Sequence, residues 1–209
     1  ASIRAIYNHK FAKPGRSITM RANISFTNTK GNTDTYAWDN ILSRALVDQY
    51  TQSHNNALSY SLRTSYVEPI YGKNHFLEMV LSLSGNNRNS VKDQYSMDSV
   101  SGDYQYDYDF SNSLINNMYT EQLELNYRWV SEKIDLTAGA RVLATQTHSQ
   151  TFYGGILARD TLYNRFNWSP NVRFRYKFGK KEFARIIYRG TVNQPTIQQM
   201  EPVRNNSDA

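Results

Sequence analysis

The sequence contains no cysteine, which excludes disulfides, thiolate metal sites and a cysteine nucleophile while leaving the compartment open. It also lacks any run approaching the ~20 apolar residues of a transmembrane helix, so helical insertion is excluded. No G-x-S-x-G, P-loop or dinucleotide-binding fingerprint occurs. The four histidines, His9, His54, His75 and His148, lack metal-ligand spacing. Neither enzymatic activity, a metal nor a cofactor is therefore expected. No signal peptide is visible, since the chain opens at Ala1 directly in a strand-like pattern, and that start is uninformative about export.

What is present is alternation. The hydrophobic fraction is 39% over 209 residues and the mean hydropathy is −0.68, too polar for a helical membrane protein. A transmembrane β-barrel tolerates that value, because only every second residue meets lipid. Ile18, Met20, Ala22, Ile24 and Phe26 alternate with Thr19, Arg21, Asn23 and Ser25. The same split runs through Leu58–Tyr66, Leu77–Leu83, Leu123–Trp129, Ile134–Val142 and Phe166–Phe178. Successive side chains point to opposite sides of a strand, so each segment has one apolar and one polar face. With weaker strands near 2–12 and 182–192 the pattern predicts about eight strands.

Connections are expected to alternate in length. Tight ones fall at 13–16, 71–74, 131–132 and 179–181, and long polar stretches near 29–50, 88–112 and 146–160. Short turns on one side and extended loops on the other are the habit of outer-membrane barrels. Phe11, Tyr66, Tyr127, Trp129, Tyr176 and Phe178 sit on the apolar faces close to the short turns, as a girdle at one membrane interface would. From Phe166 to Phe178, at ~3.3 Å per residue and ~40° tilt, the strand spans ~30 Å, the thickness of the hydrocarbon core. The expected fold class is all-β: an antiparallel transmembrane β-barrel wall in the bacterial outer membrane, one domain over 1–209, its outward face against the lipid bilayer.

The candidate functional residues lie on the other face. Arg21, Arg63, Arg128, Arg141, Arg173, Arg175, Arg185 and Arg189 all occupy polar-face positions. A net charge of +6 raises nucleic acid as a partner, but such binding clusters its cations on an exposed face with interleaved aromatics. Here the arginines stand opposite the lipid-facing rings, so no nucleic acid is expected. They line either a solvated lumen or a wall that contacts a plug. In the most unusual stretch, Asp103–Phe110, Tyr104, Tyr106 and Tyr108 form a candidate ligand-contact loop. The alternative there is the wet distal end of a long hairpin, with tyrosine supplying β propensity. Tyr153-Gly154-Gly155 is a turn signal.

Several motifs carry a resemblance. His9-Lys10-Phe11 precedes a Pro14-Gly15-Arg16-Ser17 hairpin. Ser65-Tyr66-Val67-Glu68-Pro69 precedes a turn and Phe76-Leu77-Glu78. Pro170-Asn171-Val172-Arg173-Phe174-Arg175-Tyr176-Lys177-Phe178 is followed by the run Tyr188 to Val203. In order and spacing these motifs resemble the outer-membrane β-barrel of TonB-dependent receptors of Bacteroidetes type. The resemblance implies energised uptake of a bulky nutrient through a barrel of ~22 strands that encloses a plug domain. Its implied partners are that plug, the TonB complex and a surface lipoprotein. No plug or TonB-box-like segment is visible here, and the chain ends in the loop Asn205-Asn206-Ser207-Asp208. A barrel fragment unable to transport alone is thus expected. Two alternatives stay open: a soluble lipocalin-like carrier with its apolar faces inward, and a non-transport structural or adhesion barrel.

Overall fold

The structure, a computed structural model, describes residues 1–39, 44–98, 101–179 and 182–190. The described chain forms nine strands: β1 (Ser2–Lys10), β2 (Ser17–Asp39), β3 (Arg44–Tyr71), β4 (His75–Met97), β5 (Tyr104–Tyr106), β6 (Asn112–Val130), β7 (Ile134–Tyr153), β8 (Ile156–Lys177) and β9 (Phe183–Arg189). All pairings are antiparallel, in the order β1-β2-β3-β4-β6-β7-β8-β9, with β5 beside β4. The eight strands of that path are those the alternation predicts; β5 is the addition. The end of the last motif, from Thr191 onward, lies outside the described residues.

Two of the three expected long loops are strands instead. Positions 29–39 and 44–50 continue β2 and β3, and 146–153 and 156–160 continue β7 and β8. Ladder hydrogen bonds do not depend on which side chains are carried, and Thr and Tyr suit a strand wetted on both faces. Such a strand shows no apolar/polar alternation, which is why these extensions read as loop. β3 alone is 28 residues long, about 90 Å of extended chain, against the ~30 Å of a bilayer core. The β7–β8 connection is only Gly154 and Gly155, with φ of 53° and 82°. Two consecutive left-handed residues are what a two-residue hairpin of matching twist requires, and glycine adopts them without a Cβ penalty. Of the third expected loop, 88–97 continue β4, and β5, in the connection that follows, pairs with Tyr95–Met97, past the point where β6 stops pairing with β4.

The burial pattern is inverted relative to a soluble protein. Val80, 1% exposed, is the buried apolar residue of the described chain, whereas Gln94, Asn116, Asn126, Thr145, Ser149 and Ser169 are buried polar residues. Exposed apolar side chains line one face. In register, Met20 faces Thr64, Met79 faces Leu125, Leu81 faces Leu123, Ala138 faces Val172 and Phe174 faces Ile186. Leu125 is 47% and Trp168 67% exposed. Water would leave that face unstable by ~25 cal/mol per Å² of apolar surface; lipid does not. A soluble carrier requires these apolar side chains enclosed, whereas here they are exposed.

The register also gives the tilt. The apolar stretch is centred on Ala22 in β2 and on Val172 in β8. The ladder sets Ala22 level with Leu62, Leu83, Glu121, Ala144 and then Phe166, six residues short of Val172 after five pairings. A drift of about 1.2 residues per strand, at ~3.3 Å rise and ~4.8 Å spacing, inclines the strands by ~40° to the band normal. Walls of closed barrels have this inclination.

Candidate functional site: the polar face of the sheet

Opposite the apolar band, the ladder brings the arginines together. Arg21 faces Arg63, Glu124 faces Arg141, Thr137 faces Arg173, and Asn171 faces Arg189. Arg175 stands between Asp135 on β7 and Arg185 on β9. Like charges directly opposite destabilise an antiparallel pair, so the Arg21–Arg63 and Arg175–Arg185 positions answer to something other than pairing energy.

Acids and arginines on this face are largely satisfied separately. Glu78 accepts a hydrogen bond from the Ser65 hydroxyl at 2.9 Å, and Glu124 from the Asn126 amide at 2.8 Å. Arg63 donates to Ser82 Oγ at 3.2 Å, Arg141 to Ser169 Oγ at 3.3 Å, and Arg173 to Thr137 Oγ1 at 3.4 Å. Arg128 and Asp135 approach only to 4.0 Å, and Asp135 Oδ1 is buried with no hydrogen-bond donor among the described residues. Arg175 lies over the Phe183 ring at 4.0 Å with its Nε buried and unpaired. Arg63, Arg141 and Arg173 are thus anchored by neutral hydroxyls and, among the described residues, by no carboxylate. A cavity of about 510 Å³ runs along it, lined among others by Arg63, Arg141, Arg173, Arg185, Arg189 and Asn126.

Ion pairing concentrates at the turn end. Glu68 lies beyond Tyr66, past the apolar stretch of β3. Arg16 grips both its oxygens (2.7 and 2.8 Å), Lys13 donates at 2.7 Å and the Tyr66 hydroxyl at 2.6 Å. The Arg16 hydrogen bonds, followed by those of Lys13 and Tyr66, hold the Glu68 carboxyl down at about 2. This contact ties the β1–β2 turn to the end of β3.

The tyrosine segment is partly tied down. Tyr104 donates to Asp48 at 2.6 Å, and Tyr106 to Asp93 at 3.2 Å. The Asp48 carboxylate holds the Tyr104 phenol above its ordinary value. Asp107 accepts from Ser96 and from the backbone of Asp109 and Phe110, shaping the bend that follows β5. Tyr95, Tyr106 and Tyr108 pack edge to face in series. Tyr108, 68% exposed, offers its ring to solvent. This segment is the distal end of a hairpin, with two of its three tyrosines engaged by carboxylates.

The four histidines are dispersed along the apolar-face positions of different strands: His9 faces Ile18, His54 faces Val91, His75 faces Trp129, and His148 faces Leu162. His75 hydrogen-bonds Tyr127 and stacks on Trp129, and His148 contacts Asp160 at 2.6 Å.

Sequence reasoning missed one assembly. On the polar face of the distal extensions Thr27, Ala57, Arg88, Asn116 and Ser149 align in a single row across five strands. Of its members, Arg88 and Ser149 lie in segments that read as loops, and a two-residue period of Ser, Thr and Asn is the signal the sequence offers.

A tilted antiparallel sheet with an apolar exposed face and a polar concave one defines the wall of a bacterial outer-membrane β-barrel. The chain belongs to the outer membrane protein β-barrel family, which it matches over residues 9–209. No curated protein matches it. Among solved structures it is similar to the ferric citrate transporter FecA in its unliganded form, at 11% identity and a TM-score of 0.52. The match covers 86% of this chain and 26% of that one, and at this identity it shows the fold alone.

Proposed function

We propose that this chain is part of the barrel wall of a TonB-dependent receptor of Bacteroidetes type, taking up a bulky nutrient across the outer membrane. The apolar face meets lipid and the arginine face lines the lumen. The observation that carries the reading is the uncompensated cation wall: Arg63, Arg141 and Arg173 bonded to hydroxyls beside carboxylates that are bonded elsewhere. In a confined lumen such a wall repels itself unless counter-charges fill it. A plug domain with acidic residues facing Arg21, Arg63, Arg141 and Arg175 supplies them, and guanidinium binds carboxylate in two-point fashion. Energy then comes through the plug from the TonB complex, with a surface lipoprotein as a further partner. The chain itself carries out no catalysis on this reading.

Charge reversal in the full-length protein tests it. Arg63→Glu with Arg173→Glu should loosen the plug and sensitise cells to large antibiotics. A change confined to ion selectivity, with plug retention intact, would instead indicate an open, anion-selective pore. If the variant and a TonB-null strain take up every nutrient normally, the structural or adhesion barrel stands in place of the transporter.

A further inference from the structure

Beyond the apolar band, the concave side holds a second cavity of about 470 Å³ built on the missed row. Its lining includes Asn55, Ala57, Asn86, Arg88, Asn116 and Met118, from three adjacent strands. Asn116 is 4% exposed, and its Nδ2 has no hydrogen-bond partner among the described residues. A buried amide donor left unpaired costs about 1–3 kcal/mol, and an acceptor entering the cavity relieves that cost once the amide turns toward it.

The remaining polar groups fit that account. Asn55 uses its carbonyl oxygen to accept from the Ser90 hydroxyl, leaving its NH₂ available. Asn86 uses its NH₂ to donate to Ser59 Oγ at 3.1 Å, leaving its carbonyl oxygen available. The cavity thus presents an amide donor at Asn55, an amide acceptor at Asn86 and the Arg88 guanidinium, with the unpaired Asn116 amide in its wall, over the apolar Ala57 and Met118. Among the described residues no carboxylate and no aromatic ring line it.

From this arrangement we infer that the cavity binds an extended, uncharged peptide. A side-chain carboxamide carries the same donor–acceptor pair as a peptide group and reads main chain irrespective of sequence. Three carboxamides on successive strands meet successive peptide groups, with apolar side chains resting on Ala57 and Met118. Recognition through main-chain hydrogen bonds, with shallow pockets for alternate side chains, is the chemistry of peptide capture on β structure. A sugar ring would call for an aromatic platform, and a multiply charged anion for more than one cation. The inference rests on the transport reading only in placing this face inside the lumen.

Binding is measured at equilibrium, without TonB, on the full-length protein in detergent. The probe is an equimolar pool of terminally capped heptapeptides of uncharged residues, with maltoheptaose as the comparator. The peptide pool should bind saturably. Asn116→Asp, which removes the NH₂ and keeps the shape, should weaken it at least tenfold, as should Arg88→Gln. Asn117→Asp, on the opposite face of the same strand, should leave it unchanged. Asn116-dependent binding of maltoheptaose in place of peptide would overturn the peptide assignment. No binding of either, or peptide binding indifferent to Asn116→Asp in a protein that retains the wild-type heat-modifiable gel shift, would overturn the site. Intact peptide binding without energised uptake would overturn the transport reading alone.

Discussion

Strand β6 passes through two different surroundings, and its two halves show what each demands. In the turn half, Leu123, Leu125 and Tyr127 share one face while Gln122, Glu124 and Asn126 share the other. In the distal half, Asn117 and Ile115 occupy the positions that continue the apolar face, while Asn116 and Met118 occupy the polar one. The backbone ladder is continuous through both. The sorting of side chains by face is therefore imposed by solvent, lipid against a wet lumen in one half and water on both sides in the other. The concave face changes too: its charge is concentrated beside the apolar band, and the row beyond carries Arg88 among uncharged neighbours.

The sharpest break of that comparison is a cation introduced at equivalent facings in the two halves. Leu125→Arg should cost ~2–4 kcal/mol of folding into lipid. Asn89→Arg, at an apolar-face position of β4 in the distal half, should stay within about 0.5 kcal/mol. Ser61→Arg, on the concave face, should likewise be mild. Urea titration of refolding into vesicles reads all three, and equal costs would remove the membrane from the account.

A smaller effect is confined to the distal half. Gly155→Val places a β-branched residue at φ 82°, which should cost about 1–2 kcal/mol. Hydrogen exchange should quicken at the distal amides of β7 and β8 and stay unchanged near Ser131–Ile134. Uniform quickening would mean that the two halves unfold as one unit.

The smallest effect belongs to the turn end. The Glu68 carboxyl is held at about 2, below its ordinary 4.5, by Arg16, Lys13 and Tyr66. Its folded value being depressed, its stabilising contribution is complete above pH ~4.5 and is lost as pH falls toward 2. Proteolysis at the Lys13–Arg16 turn should rise over that window, while Glu68→Gln should be susceptible throughout and indifferent to pH. A wild-type turn that loosens only above pH 5 would contradict the assignment.

How much of this was legible in the sequence follows from the same contrast. Where lipid meets one face, as along Ile18–Phe26 and Phe166–Phe178, period-two alternation exposed both the strand and its facing. Beyond the band, Thr29 to Asp39 carries no such contrast, so the strand reads as loop. The arginine face was legible because Arg21, Arg63 and Arg175 each interrupt apolar neighbours at even spacing. That Glu78 and Glu124 are satisfied by Ser65 and Asn126 in place of arginine was not, since it depends on cross-strand register and side-chain reach. The Asn55–Asn86–Asn116 assembly was hidden for the same reason, its members being 31 and 30 positions apart.

The central claim is that the two faces of the turn half see lipid and water. The absence of cysteine allows each position of β6 from Gln122 to Tyr127 to be replaced singly by cysteine and spin-labelled in the vesicle-inserted protein. Collision with oxygen should peak at positions 123, 125 and 127, and collision with a water-soluble nickel chelate at 122, 124 and 126. Alternation in the opposite phase, or none, would contradict the account.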